Sequence, residues 1–344
     1  MTTPSVATVT VPAPTLAACP KEMTYGPCGG VAPDGGCETG AGRCAFLDLS
    51  LPRWSGGAAP EPADAFAGMR RPLVIADLPA RALDLASLRE CAAAVAGTVD
   101  AVLLGDHGGE RVQFPPALRA HWVQAQGVRA WAGLNCRDRN RVALEGELAG
   151  LAEVGVAGVH CVTGDHTSLG HRPDARGVFD LDSTRLAALA SAMGLPVSVA
   201  ENPGAPPVER RPARLAEKVR AGATACFVNH TAGAAAVGAF TAAAAAEGAG
   251  VPFVACVPIV LDEATAGVLR SFTGLHLPPG YVEGVLAARD PLRAGVDAAI
   301  ALSRALLEVP GVRGVNLSGG GGPGSALAPG TVASALATVA RALR

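Results

Sequence analysis

What the chain lacks narrows it first. No apolar run reaches the roughly 20 residues of a membrane-spanning helix, so no membrane role is expected. Nor is there an excess of basic charge. The 28 Lys and Arg stand against 30 Asp and Glu, for a net charge of −2, and recognition of nucleic acid by a basic face has no support. The opening stretch, MTTPSVATVT, has no basic part followed by an apolar one. No secretory signal is therefore expected, and the expected compartment is the cytoplasm, where thiols stay reduced. Charged residues are scarce at 17% while hydrophobic ones make up 49%, a balance that argues against extended disorder and supplies a large core. A length of 344 residues suits one domain of roughly 250–300 residues with a small appendage.

The nine cysteines divide the chain unevenly. Cys91, Cys136, Cys161, Cys226 and Cys256 are scattered through apolar stretches and read as small buried hydrophobes, although Cys136 sits in a polar motif. Cys19, Cys28, Cys37 and Cys44 crowd into CPKEMTYGPCGGVAPDGGCETGAGRC, a segment rich in Gly and Pro and too poor in large apolar residues to build a core. Such a segment needs a staple. In a reducing compartment four thiolates around a metal supply one, and both tetrahedral zinc and an iron–sulfur cluster take four. Eight, eight and six residues separate successive cysteines, without the tight two-residue knuckle of common zinc sites. Zinc is the first choice and an iron–sulfur cluster the second. Residues 1–50 are assigned to a cysteine-rich metal-binding module, 51–70 to a linker rich in Gly, Ala and Pro, and 71–344 to a larger domain.

From residue 72 onward short apolar runs alternate with helical patterns. The strand candidates are LVIADL (73–78), VDAVLLG (99–105), VRAWAG (128–133), VAGVHCVT (156–163), PVSVA (196–200), ATACFV (223–228), PFVACV (252–257) and RGVNL (313–317). They are continuous rather than alternating, as parallel strands buried on both faces are. Helical patterns such as DLASLRECAAAVAG, RNRVALEGELAGLAEVG and STRLAALASAMG lie between them, GTVASALATVARALR closes the chain, and the longest gap leaves room for an extra helix or two. Eight such units predict an α/β fold, a (β/α)8 TIM barrel. The rival doubly wound sheet would want a Gly-rich dinucleotide fingerprint after its first strand, and PARALD stands there instead.

In such a barrel the site lies at the C-terminal ends of the strands. Those ends carry Asp77, the turn from Gly105 to Glu110 with His107, the run Asn135 to Asn140, then Thr163, Gly164, Asp165 and His166. Glu201 and Asn202, Asn229 and His230, and Ser318 ahead of four glycines complete the rim. Polar groups converging on one rim predict a pocket. His107 and His166 are candidate acid–base groups, since imidazole titrates near neutrality; solvated loop histidines are the plainer reading. The SGGGGPG stretch reads equally as a phosphate-binding loop or a flexible turn.

The stretch LNCRDRNRVALEGELAGLAEVGVAGVHCVTGD, followed by GVFDLDS, resembles the methylenetetrahydrofolate reductase family, as does ENPGAPPVERRPARLAEKVRAGATACF further on. The likeness covers about residues 72–317. The pattern CPK, GPCGG, and a later cysteine before Glu38 is similar to the cysteine-rich module linked to those reductases, found as a partner protein or as a fusion. The resemblance implies a flavoprotein that passes a hydride from NAD(P)H through FAD to 5,10-methylenetetrahydrofolate, giving 5-methyltetrahydrofolate, an oxidoreductase of one-carbon metabolism and methionine biosynthesis. It implies Asp77 as the acid that protonates the folate nitrogen, Asp165 as the electrostatic stabiliser near flavin and pterin, and Asn229 as the pterin contact. Asn135, Thr163, Gly164, Asp165, Asn202, Arg214 and Lys218 are then the cofactor-binding residues, with Cys19, Cys28, Cys37 and Cys44 on the metal.

Departures from the family fall in the flavin pocket. Asp77 replaces a glutamate. Gly133-Leu134-Asn135-Cys136 replaces a sequence with His or Gln ahead of Leu-Thr-Cys. Asn229 is one methylene shorter than the usual Gln, and Glu217 stands where a basic residue is common, a poor neighbour for a pyrophosphate. Alternatives to the flavoenzyme follow: a flavin-less barrel with a folate-shaped pocket that works with a partner flavoprotein or moves a one-carbon unit without redox chemistry, or an accessory subunit of a one-carbon complex whose cysteine module docks a partner. The Ala-rich helical stretches leave a homo-oligomer open.

Overall fold

The computed structural model describes residues 19–56, 65–105, 110, 112–272, 275–319 and 325–344. The His107 position and the Gly-rich stretch 320–324 lie outside the described residues. Eight parallel strands close into a barrel in chain order: β1 (Leu73–Asp77), β2 (Ala101–Leu104), β3 (Ala130–Asn135), β4 (Gly158–Val162), β5 (Val197–Glu201), β6 (Ala225–Val228), β7 (Phe253–Ile259) and β8 (Val312–Gly319). β8 closes on β1 with Val74 opposite Val315. The helices are α1 (Leu85–Val95), α2 (Pro116–Gln124), α3 (Arg141–Glu153), α4 (Ser183–Ala192), α5 (Arg211–Arg220), α6 (Ala234–Ala246), α7 (Glu263–Arg270), α8 (Tyr281–Leu286), α9 (Pro291–Leu307) and α10 (Pro329–Ala342). The expected TIM barrel is what forms, and the long connection before β8 holds α7 and α8 in addition to α9. Among the described residues no helix is long and apolar enough to cross a membrane.

The continuous apolar strands serve two cores at once, because successive side chains leave a strand on opposite faces. Val74, Val102, Leu104, Val159 and Val199 face outward and join the helices. Leu73, Ile75, Ala101, Trp131, Phe227 and Val254 fill the barrel interior. Trp131 is fully buried and crosses to β4, where an added Cβ on Gly158 would stand 2.5 Å from its ring. Phe66 packs on the same indole at 5.2 Å. Residues 65 and 66, expected in the linker, are therefore part of the barrel core. Asp84, Asn140, Asp182, Asp262 and Asp290 each accept backbone N–H groups at the start of a helix, contributions of about 1 kcal/mol apiece.

The cysteine segment has little regular structure beyond a single 3-10 turn at Ala45–Leu47 and two isolated bridges, Val31 with Cys37 and Gly36 with Arg43. It is held by the barrel. Met23 and Tyr25 are completely buried, and the Asp182 carboxylate accepts the Thr24 and Tyr25 N–H groups at 3.2 and 3.1 Å. The same carboxylate caps α4 with its other oxygen.

Gly158→Ala is expected to lower stability by roughly 1–3 kcal/mol, because the indole has no space to retreat into. Thermal unfolding checks this, and an unchanged midpoint would show that Trp131 is not tightly held.

Candidate functional site

A cavity of about 610 Å³ opens at the C-terminal ends of the strands. Above the apolar plug several inward positions turn polar, among them Asp77 on β1, Asn135 on β3, His160 on β4, and Asn316 and Ser318 on β8. Asp77 on β1 and Asn316 and Ser318 on β8 form one group: Asn316 Nδ2 donates to Asp77 Oδ1 at 3.0 Å and Ser318 Oγ to Oδ2 at 2.7 Å. Burial pushes the Asp77 carboxyl above its ordinary range, and donors from Asn316, Ser318 and the Gly319 backbone only partly oppose this. On β4, His160 Nδ1 lies 2.9 Å from Ser198 Oγ, which Trp131 Nε1 also meets at 2.8 Å. The His160 ring rests on Phe227 at 4.8 Å. His230 Nδ1 and Asn316 Oδ1 are buried with no hydrogen-bond partner. The His230 ring donates to the Cys256 backbone, which puts its proton on Nε2 and leaves Nδ1 an acceptor.

The residues expected at the site do meet. Asp77, Asn135, Thr163, Gly164, Asp165, Asn202, Arg214, Lys218 and Asn229 all line the one cavity. Their side chains differ in how they are used. Asn135 Oδ1 accepts from Arg137 N–H and Asn202 Oδ1 from Gly204 N–H, turns that fix the backbone of their loops. Thr163 Oγ1 accepts from Ser183 N–H. Gly164 adopts φ +87° with Asn135 Cβ 3.1 Å from where its own Cβ would be, so the Gly of the Gly-Asp pair is a conformational requirement. Asp165 and Asn229 are exposed at the rim. His166 caps the short 3-10 turn Thr167–Leu169 through its own ring and stacks on Phe179 at 5.9 Å. Cys136 is fully buried, and burial drives its thiol far above the ordinary range, which leaves it inert.

The positions that the resemblance gives to flavin phosphates are engaged otherwise. Glu201, 2% exposed, stands among Lys218 at 2.6 Å, Arg214 at 3.7 Å and Arg211 at 3.9 Å. Burial pushes its carboxyl up, but the three cations outweigh that and hold it below its ordinary range. Lys218 also donates to the Ala200 carbonyl. Arg214 donates to the Tyr25 carbonyl at 2.6 Å. Arg211 reaches four carbonyls, those of Pro27, Cys28, Ala205 and Pro206. Glu217 accepts the Trp54 N–H at 2.6 Å and pairs with Arg220. The donors of α5 are thus directed at the cysteine segment and at the Glu201 carboxylate. A diphosphate would have to displace both, so this arrangement does not fit the phosphates of a flavin dinucleotide. Glu201 is the residue that the sequence placed on the rim without a role. Its pairing partners are 10 to 17 residues away, beyond any local spacing rule.

The segment also forms a wall of the cavity, with Lys21, Cys28, Gly29, Gly30 and Glu38 among its lining. Lys21 and Glu38 form a buried ion pair, and Glu38 accepts the His166 N–H at 3.0 Å. A Cβ at position 30 would overlap the Glu38 carboxylate at 1.5 Å, so any larger residue there displaces Glu38 from its pairing with Lys21. None of the four N-terminal cysteines is paired in a disulfide, and burial raises the Cys19 and Cys44 thiols above their ordinary range. Backbone N–H groups of Lys21 and Met23 point to Cys19, and that of Phe46 to Cys44. Among the described residues no group of three or more His, Cys, Asp or Glu side chains is arranged to hold a metal ion.

No protein-family model matches the chain, and no curated protein matches it. Among solved structures it is similar in fold to an uncharacterized protein from Clostridium thermocellum that binds two copies of 5-methyl-5,6,7,8-tetrahydrofolic acid, with a TM-score of 0.53 and 11% identity over 78% of this chain and 94% of that one.

Burial lowers His160 to about 3 and His230 to about 4, so both stay neutral in the fold. The unfolded chain takes up those protons below about 6.5, and stability must fall as pH drops from there toward about 4. The slope is at most about 1.4 kcal/mol per pH unit for each histidine, and His166, also lowered by burial, adds in the same direction. Urea midpoints measured at descending pH should decline over this window, less steeply in His230→Gln. A flat profile would contradict buried, neutral imidazoles.

Proposed function

We propose that the chain binds a reduced folate in the barrel mouth and acts on its one-carbon unit without a flavin of its own. The observation that carries this is the engagement of Arg211, Arg214 and Lys218 by Glu201 and by the carbonyls of residues 25–28. The cavity supports the folate part. Its volume lies in the range of pockets for drug-sized ligands, its floor carries the orphan acceptors His230 and Asn316 for the N–H groups of an aminopyrimidine ring, and a protein of similar fold binds 5-methyltetrahydrofolate. Asp77 is the proton donor in this reading. Its raised affinity for a proton suits a general acid that delivers it to a folate nitrogen as the one-carbon bridge opens. A partner flavoprotein supplies the reducing equivalents. Cys19, Cys28, Cys37 and Cys44 offer the four thiolates that zinc takes; they do not surround a common point in this fold and would have to draw together around the ion. The cysteine segment serves as a wall of the folate site.

The flavin-dependent reductase, with FAD and NAD(P)H, is the second reading. The acidity of Asp77 favours it equally, but residues 25–28 would have to leave α5.

One preparation tests the assembly. The full chain should bind 5-methyltetrahydrofolate by calorimetry, show no flavin band with or without added FAD, and carry one zinc that Cys28→Ser loses. Stoichiometric FAD would sink the flavin-free reading, absence of folate binding the folate reading, and zinc retained in Cys28→Ser the four-thiolate site. In Asp77→Asn, turnover with the partner flavoprotein should fall by roughly two to four orders of magnitude with folate affinity little changed; unchanged turnover would remove Asp77 from the chemistry.

A further inference from the structure

We infer that His160 reads a hydrogen-bond acceptor on the bound ring, through an Nε2–H donor whose tautomer Trp131 and Ser198 dictate. The heterocycle's identity rests on the reduced-folate reading; the donor itself does not.

The argument starts from an indole that can only donate. Trp131 Nε1 gives its proton to Ser198 Oγ at 2.8 Å. The Ser198 hydroxyl is completely buried and has one proton of its own to place. His160 Nδ1, at 2.9 Å, is its acceptor. The opposite assignment, with Nδ1–H donating to Ser198, would leave the serine proton without an acceptor among the described residues, at the cost of an unmade buried hydrogen bond. The chain of donors therefore runs Trp131 to Ser198 to His160, and it makes Nδ1 an acceptor. A neutral imidazole then carries its proton on Nε2.

The ring is locked as well as assigned. Phe227 packs on it at 4.8 Å, and Trp131 is wedged against Gly158 in the preceding layer. His160 lines the cavity, and Ser198 is its one hydrogen-bond partner among the described residues. That leaves Nε2–H as the polar group the ring can offer to a ligand. Burial and the field of Lys218 keep the imidazole neutral at any physiological pH, so it binds an uncharged acceptor, a carbonyl oxygen or ring-nitrogen lone pair, and is no proton donor to the reaction. The task complements that of His230 and Asn316, whose free atoms are acceptors. A ring carrying N–H groups on one edge and an acceptor on another, as a pterin does, satisfies both kinds.

Nitrogen-15 spectra of the full chain, combined with binding of 5-methyltetrahydrofolate, test this. The free protein should show His160 as a single Nε2–H tautomer, and Ser198→Ala should add the Nδ1–H form. On adding the folate, the Nε2–H resonance should move. His160→Phe should lose roughly five- to hundredfold in folate affinity, the cost of one unpaired polar group, while His160→Gln, which keeps an N–H donor, should lose much less. An Nδ1–H tautomer in the free protein would overturn the proposal whatever binds. Equal affinities for wild type, His160→Phe and His160→Gln would overturn it while leaving the folate reading intact. If the wild type binds no reduced folate, that reading fails, and the tautomer and its response to Ser198→Ala then decide for or against the donor.

Discussion

The carboxylate of Glu201 is the interaction on which the rest of the rim depends. Three cations from one helix face it in the space between β5 and α5, all nearly without solvent. Removing one partner of such a buried set typically costs about 3–5 kcal/mol, because the remaining charges are stranded. One carboxylate does not balance three cations, and backbone carbonyls complete the compensation. Some belong to the β5–α5 loop, but those of Tyr25, Pro27 and Cys28 arrive from the cysteine segment. The segment is consequently part of the electrostatic solution of the barrel, and the cavity wall made by Lys21, Gly29, Gly30 and Glu38 is in place because α5 requires a cap.

Much of this was legible in the sequence and some of it was not, for a definable reason. Continuous Val- and Ala-rich runs report two-sided burial without knowledge of their neighbours, so the barrel could be read from LVIADL to RGVNL. Rim membership follows from strand ends, which is why Asp77, Thr163, Asp165, Asn202 and Asn229 converge as expected. Partnership across the fold has no local signal. Nothing near Asp182 announces that it binds residue 24, and nothing near His160 announces Ser198 or Trp131. Glu217 shows the difference well. Beside an imagined pyrophosphate it is an electrostatic misfit; beside the Trp54 N–H and Arg220 it is an ordinary anchor for the segment.

The motif that carried the resemblance has a similar lesson. In CRDRN, Arg137 donates to Asp138 through two nitrogens, Asn135 holds the Arg137 N–H, and Asn140 caps α3. In the later FDLDS, Asp180 accepts the Arg141 N–H and Asp182 caps α4. These polar residues form two interlocked corners that set where β3 ends and where α3 and α4 begin. A motif can thus be specific for a fold because it solves a corner, independently of the chemistry carried out above it.

Asp182 also imposes an order on assembly. Thr24 must wait for a carboxylate 158 residues further along the chain, and Pro27 for an arginine 184 residues away. At ribosomal speeds of roughly 5–20 residues per second, that second interval lasts roughly ten to forty seconds. During it the four thiols have emerged, yet their seat on α4 and α5 has not been made. The segment synthesised first is thus among the last to find its place, and through that interval its cysteines depend on the surrounding cell, rather than on the barrel, to stay reduced and unpaired.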